Sequence, residues 1–171
     1  MKTLYLVRHA KSGWDDPSLQ DHDRPLDMRG ERAALVVGRY AAQRRFVPNL
    51  VLCSSARRSR DTLELILTQW PKVPAIEIDR DIYLVGEHGL RKRLGKVGHG
   101  VSSVMVVGHN PDLHDLAIRL AGKGDDSLRD SLREKFPTAS LAALKLPIDD
   151  WADIPASSAT LIAFASPKLL V

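Results

Sequence analysis

Apolar and polar positions along this chain fall into short blocks whose period switches between two and about 3.6, the mark of strands exchanging with helices. Leu4 to Val7 is a compact apolar run, partly β-branched, that breaks off into polar residues and predicts a buried strand. From Lys11 to Arg29 the periodicity disappears. Gly13, Pro17, Pro25 and several aspartates predict a long loop, and loops of that length in compact domains are often functional. Ala33, Val36, Val37, Tyr40 and Ala41 then repeat at three- and four-residue steps, predicting a helix that ends near Arg44, before Pro48. Leu50 to Cys53 reads as a second strand. Leu63, Ile66, Leu67 and Trp70 mark a second helix, stopped by Pro71.

Ile76 to Ile78 alternates weakly as a strand, and a modest helical period covers Glu87 to Leu94. Val101 to Val107 is almost continuously apolar, as expected of a central strand covered on both faces. Pro111 suits the first turn of a helix whose inward face is Leu113, Leu116, Ala117, Leu120 and Ala121. Gly122 to Asp126 reads as a turn and Ser127 to Lys135 as a short charged helix; Ser140 to Leu146 and Thr160 to Ser166 close the chain as strands. The alternation predicts a single three-layer α/β domain over residues 1–171. Its central sheet is largely parallel and flanked by helices on both faces, with an antiparallel element near the C-terminus.

Composition narrows the function classes. At 171 residues and 44% hydrophobic content, one domain can build a sizeable core. No apolar run reaches the ~18 residues of a membrane span, and Arg8-His9 cuts the N-terminal apolar stretch too short for a signal-peptide core. Cys53 is the only cysteine, which removes an intrachain disulfide framework and any cysteine-built metal site. A cytoplasmic location is the expectation from that cysteine usage. The net charge of +4 is compatible with an anionic substrate, and with no aromatic interleaving it argues against a nucleic-acid partner.

In open parallel sheets, ligands bind at the carboxyl ends of the strands. Those positions carry Arg8 and His9 after the first strand, Arg57, Arg58 and Arg60 after the second, and His109 after the central one. Two imidazoles and several guanidiniums at one sheet edge suit a phosphoryl group, whose charge is spread over three oxygens. His9 is the nucleophile candidate, a neutral imidazole nitrogen attacking phosphorus. Arg8 and one of the three arginines after the second strand would supply forked donors, His109 a further charge if protonated, and Ser12 a hydroxyl from the loop.

These segments resemble the histidine phosphatase superfamily, the phosphoglycerate-mutase-like enzymes. Leu6 to Ser12 is similar to its Leu-x-Arg-His-Gly signature, Ser54 to Thr62 to its arginine segment with the active-site arginine at Arg58, and Val106 to Asn110 to its second histidine motif. Arg24-Pro25-Leu26 and Arg29-Gly30 resemble an element of the small SixA-type phosphohistidine phosphatases. The resemblance implies two-step hydrolysis through a phosphohistidine on His9, with no cofactor and no metal. Its usual glutamate acid has no clear counterpart, leaving Glu87 and Asp81 as candidates. That lack favours a phosphohistidine-bearing protein as substrate. The alternatives are a phosphatase of small phosphorylated metabolites, less so a mutase, and a non-catalytic phosphate-dependent binding module. Asp21-His22-Asp23 reads as loop structure, Arg91-Lys92-Arg93 with Lys96 as a solvated helix face, and Trp14 as a pocket wall or core cover.

Overall fold

The computed structural model describes residues 1–170. Its seven strands are β1 (Lys2–Arg8), β2 (Leu50–Ser54), β3 (Ala75–Asp79), β4 (Ser103–Gly108), β5 (Ala121–Gly124), β6 (Leu141–Leu146) and β7 (Ala159–Ala165). They form one sheet in the order β3-β2-β4-β1-β6-β7-β5. The first four are mutually parallel, β6 runs antiparallel to both β1 and β7, and β5 returns parallel to β7. Six helices complete the fold: α1 (Met28–Gln43), α2 (Arg57–Leu67), α3 (Gly86–Leu94), α4 (Asp112–Leu120), α5 (Asp126–Glu134) and the short α6 (Pro167–Leu170).

Strand alternation splits the interior into two layers. Leu4 and Leu6 of β1, with Val104 and Val106 of β4, pack beneath α3, α4 and α5 through Leu90, Leu94, Leu113, Leu116, Leu120 and Leu132. Tyr5, Val7, Met105 and Val107 face the opposite layer, where α1 and α2 contribute Ala34, Val37, Ala41, Leu63 and Ile66. Each fully buried Leu or Val contributes about 1.5–3 kcal/mol. The predicted three-layer α/β architecture is therefore the observed one.

Several local expectations need correction. The segment Gly122 to Asp126 is not simply a turn, because Ala121–Gly124 forms an edge strand on β7. Gly122 and Gly124 permit it: a Cβ at these positions would lie 1.9 Å from the Ser157 carbonyl oxygen and 2.5 Å from that of Leu161. The second helix stops at Leu67 rather than reaching Trp70, whose indole N–H instead donates to the Gly38 carbonyl at 3.1 Å. Residues 11–29 are not all loop either. They hold a 3₁₀ turn at Asp21–Asp23, a bridge between Ser12 and Leu26, and the start of α1, capped by Asp27 accepting from the Gly30 N–H at 2.7 Å.

Candidate active site

β1 and β4 are neighbours in register, so their carboxyl ends deliver Arg8-His9 and Gly108-His109 side by side. The His9 N–H donates to the Gly108 carbonyl at 3.0 Å and locks the two strand ends together. β2, on the other side of β4, ends at Ser54 and leads into α2, which carries Arg58 on its first turn. Thr62, one turn further on, accepts from the Ala10 N–H at 2.9 Å and donates to the Arg58 carbonyl at 2.7 Å. That pair of bonds fixes the arginine's helix against the loop that follows His9.

The side chains converge on an open cleft of about 420 Å³ lined by Arg8, His9, Lys11, Ser12, Trp14, Arg24, Arg58, Leu84, His109, Asn110 and Thr138. His9 is buried and donates from Nδ1 to the Ala10 carbonyl at 2.7 Å, which sets the tautomer and leaves Nε2 with its lone pair. Arg58 Nε donates to that Nε2 at 3.3 Å. The rings of His9 and His109 lie 5.2 Å apart between centroids. His109 Nε2 sits 2.7 Å from the Ser54 hydroxyl, which itself accepts from the Ala56 N–H. Its Nδ1 is buried and has no partner within the protein, and neither has the buried Nε of Arg8. These unpaired atoms and three guanidiniums give the cleft the character of a candidate anion site.

Both imidazoles are held neutral by the protein. Burial brings His9 down to about 4, helped by repulsion from Arg58, Arg8 and Arg24 and opposed by the Ala10 bond. Burial likewise lowers His109 to about 3, with His9, Arg58 and Arg8 adding to it against the pull of Asp21. The charge expected on His109 is therefore not built in. An anion in the cleft would favour protonation of His109.

Asp21 organises the cations, although the sequence reading treats its segment as loop structure. One carboxylate oxygen accepts from Arg24 at 2.9 and 3.1 Å; the other accepts from Arg58 at 3.0 Å and from the Tyr83 hydroxyl at 2.6 Å. Its backbone carbonyl takes a fifth bond, from Arg58 Nη1 at 2.7 Å. Burial opposes ionisation of Asp21, but these bonds outweigh it and hold the carboxyl well below its usual range. Tyr83 also packs edge-on against His109, with centroids 5.4 Å apart. Arg24 donates to the Ser12 hydroxyl at 2.6 Å and stacks over Trp14 at 3.5 Å. The motif Asp21 to Arg24 within an unusually long loop was the available signal for the first two; nothing in the sequence marked Tyr83.

The remaining expectations resolve by position. Glu87 is not in the cleft, because it is bound to Arg91 and Arg119 on the far helices. Asp81 is absent from the cleft lining too and faces a separate hollow with Arg93 and Lys96. Arg57 pairs with Asp61, and Arg60 donates to the Ser55 carbonyl, so neither competes with Arg58. Arg93 is not merely solvated but bonded to Asp79 and Glu77. Trp14 is 72% exposed and walls the cleft rather than covering the core.

Comparison with known proteins shows the family. Residues 4–82 match the family model of the histidine phosphatase superfamily (branch 1). An uncharacterised Mycobacterium tuberculosis protein, Rv1276c, is 35% identical over 164 residues that cover 95% of this chain and 100% of that relative. The chain belongs to the histidine phosphatase superfamily. Among solved structures, two provisionally assigned as phosphohistidine phosphatase SixA are similar over nearly their whole length. The one from Agrobacterium tumefaciens has a TM-score of 0.80 at 31% identity, covering 97% of this chain and 98% of its own. The one from Nakamurella multipartitia has a TM-score of 0.82 at 29% identity, covering 97% and 96%. This chain is a phosphatase of the SixA-type branch.

Proposed function

We propose that the protein hydrolyses phosphohistidine on a protein substrate, with His9 as nucleophile and Arg8, Arg58 and His109 as the phosphoryl clamp. One observation carries the reading: among the described residues, the cleft is lined by two imidazoles, three guanidiniums and a lysine, and by no carboxylate. An alkoxide leaving group requires a proton donor, which this cleft does not offer. A phosphorylated imidazole protonated on its remote nitrogen departs as a neutral ring and requires none.

In the first step the lone pair of His9 Nε2 forms a bond to phosphorus, and the P–N bond to the substrate imidazole breaks with its electron pair leaving on that nitrogen. The three equatorial oxygens are held by the Arg8 and Arg58 guanidiniums and by the His109 imidazole. Water then attacks phosphorus, the P–Nε2 bond breaks, and phosphate leaves with His9 neutral again. Charge is neutralised by arginine, so turnover persists in the presence of a chelator. The rim favours a macromolecule: Trp14 and Leu84 (51% exposed) project from an open mouth, whereas small-molecule sites enclose most of the ligand.

His9→Ala is expected to abolish turnover of a phosphohistidine peptide together with the acid-labile phosphoenzyme trapped from wild type. A panel of phosphohistidine peptide, phosphoserine and sugar phosphates tests the substrate class, the first being preferred by at least tenfold. Turnover by the His9→Ala variant at the wild-type rate overturns the mechanism, and preference for a sugar phosphate overturns the substrate.

A further inference from the structure

Beside the candidate active-site cleft lies a second, more voluminous groove of about 780 Å³. Lys11 and Thr138 line both, so the two adjoin across these residues. The groove runs between the N-terminal half of α1 and the short α6, over a floor of Ala33, Val36, Pro137 and Pro167. Its remaining lining residues are Arg29, Arg32 and Lys168, all exposed. Among the described residues, none of these three cations, nor Lys11, forms an ion pair. Of the carboxylates nearest in sequence, Asp27 is committed to capping α1 and Glu31, also in the first turn, pairs with none of these cations; no acidic side chain lines the groove.

The placement of these charges opposes the helix's own electrostatics. Arg29 stands in the first turn of α1, at the positive end of the macrodipole, where acidic side chains are the stabilising choice. A cation there gains nothing from the helix and suits an external anion. Gly30 fixes the geometry of the junction: a Cβ at this position would lie 2.1 Å from the Lys11 carbonyl oxygen, so α1 packs directly on the backbone that separates groove from cleft.

We propose that this groove is a docking channel for an acidic segment of the substrate protein, adjacent in its chain to the phosphorylated residue. The inference rests on the phosphoprotein reading above and adds to it a sequence preference. An extended chain whose phosphoryl group sits against His9 passes over Lys11 and Thr138 into the groove. Its carboxylates then meet Arg29, Arg32 and Lys168 while its apolar side chains lie on Val36 and the two prolines. With no aromatic ring in its lining, the groove has no stacking platform for the bases of a nucleic acid.

Three synthetic phosphohistidine peptides test the channel, with flanks rich in Asp and Glu, in Ser and Gln, or in Lys. Wild type is expected to favour the acidic over the neutral flank by about tenfold in kcat/KM at low ionic strength, and the ratio to shrink as salt is added. In Arg29→Glu/Arg32→Glu the order of acidic and lysine flanks reverses; Arg32→Gln alone narrows the ratio. A wild-type ratio near one, or the same ratio in the variants, overturns the channel while leaving the catalytic reading intact. Loss of turnover for all three peptides in wild type overturns that reading itself. Equal turnover of the peptides combined with salt-dependent binding of a single-stranded oligonucleotide that competes at the groove overturns the channel alone.

Discussion

Asp21 carries four side-chain hydrogen bonds from two arginines and a tyrosine, yet it does not itself line the cleft. Its effect must therefore pass through Arg58 and Arg24, which it holds at fixed angles to His9 and Ser12. Asp21→Asn removes the charge and one acceptor's strength while keeping the shape. We expect kcat on a phosphohistidine peptide to fall about tenfold or more, since small misplacements of a catalytic group cost up to ~100-fold. Thermal stability should fall by about 1–3 kcal/mol, the usual worth of bonds to a charged group. An unchanged kcat with lowered stability would reduce Asp21 to a structural role. Ser54 has a parallel part to play at His109, because its hydroxyl lies 2.7 Å from Nε2 and fixes the orientation of the ring.

At the scale of elements, the cleft depends on where α1 and α2 begin. Thr62 ties α2 to the loop after β1, and Gly30 lets α1 lie against the Lys11 backbone. Gly30→Ala would place a methyl group within 2.1 Å of a carbonyl oxygen, so the loop or the helix has to move. A destabilisation of about 1–3 kcal/mol is expected in urea unfolding, in line with other overpacked sites. Peptide turnover should drop with it, because Lys11 and Ser12 both line the cleft. By contrast, Gly98 and Gly100 have nothing within 4 Å of an added Cβ, and alanine at either is expected to leave stability within about 0.5 kcal/mol.

The whole molecule brings two buried imidazoles from separate strands into one low-dielectric space, which couples its stability to pH. His9 and His109 titrate at about 4 and about 3, below the ordinary imidazole value of ~6.5. Between about pH 6.5 and 4 the unfolded chain therefore binds protons that the folded chain refuses. Stability is full above neutrality and falls on acidification through that window. Each ring contributes on the order of 3 kcal/mol over the full interval. Thermal melts from pH 7.5 to 4.5 should show a progressive fall in Tm that flattens in His9→Gln/His109→Gln. Asp21, whose carboxyl is depressed, gives a contribution present above its ordinary value and lost only at lower pH, so the two effects separate on the pH axis.

Much of this was legible in the sequence. Strand and helix periods are local properties of neighbouring residues, and they marked the buried strands, the two-sided core and the strand-end positions of His9, Arg58 and His109. Motif spacing likewise singled out Arg58 from the flanking Arg57 and Arg60. What the sequence left undecided depends on contacts between distant segments. The edge pairing of β5 follows from Ser157 and Leu161 approaching two glycines, not from any strand-like pattern in Ala121–Gly124. Glu87 and Asp81 had the right chemistry for an acid, but their neighbours in space are arginines and a lysine outside the cleft. Asp21 and Tyr83 meet across 62 positions of chain. The neutrality of His109 is a matter of burial and of three other charged or ionisable groups around it. Sequence alone thus determined the class of fold and the kinds of side chain at the sheet edge, because both are written in local order. Tertiary structure alone decided which carboxylate serves the arginines, which protons the imidazoles carry and where the basic groove opens, because those depend on distances that no local pattern encodes.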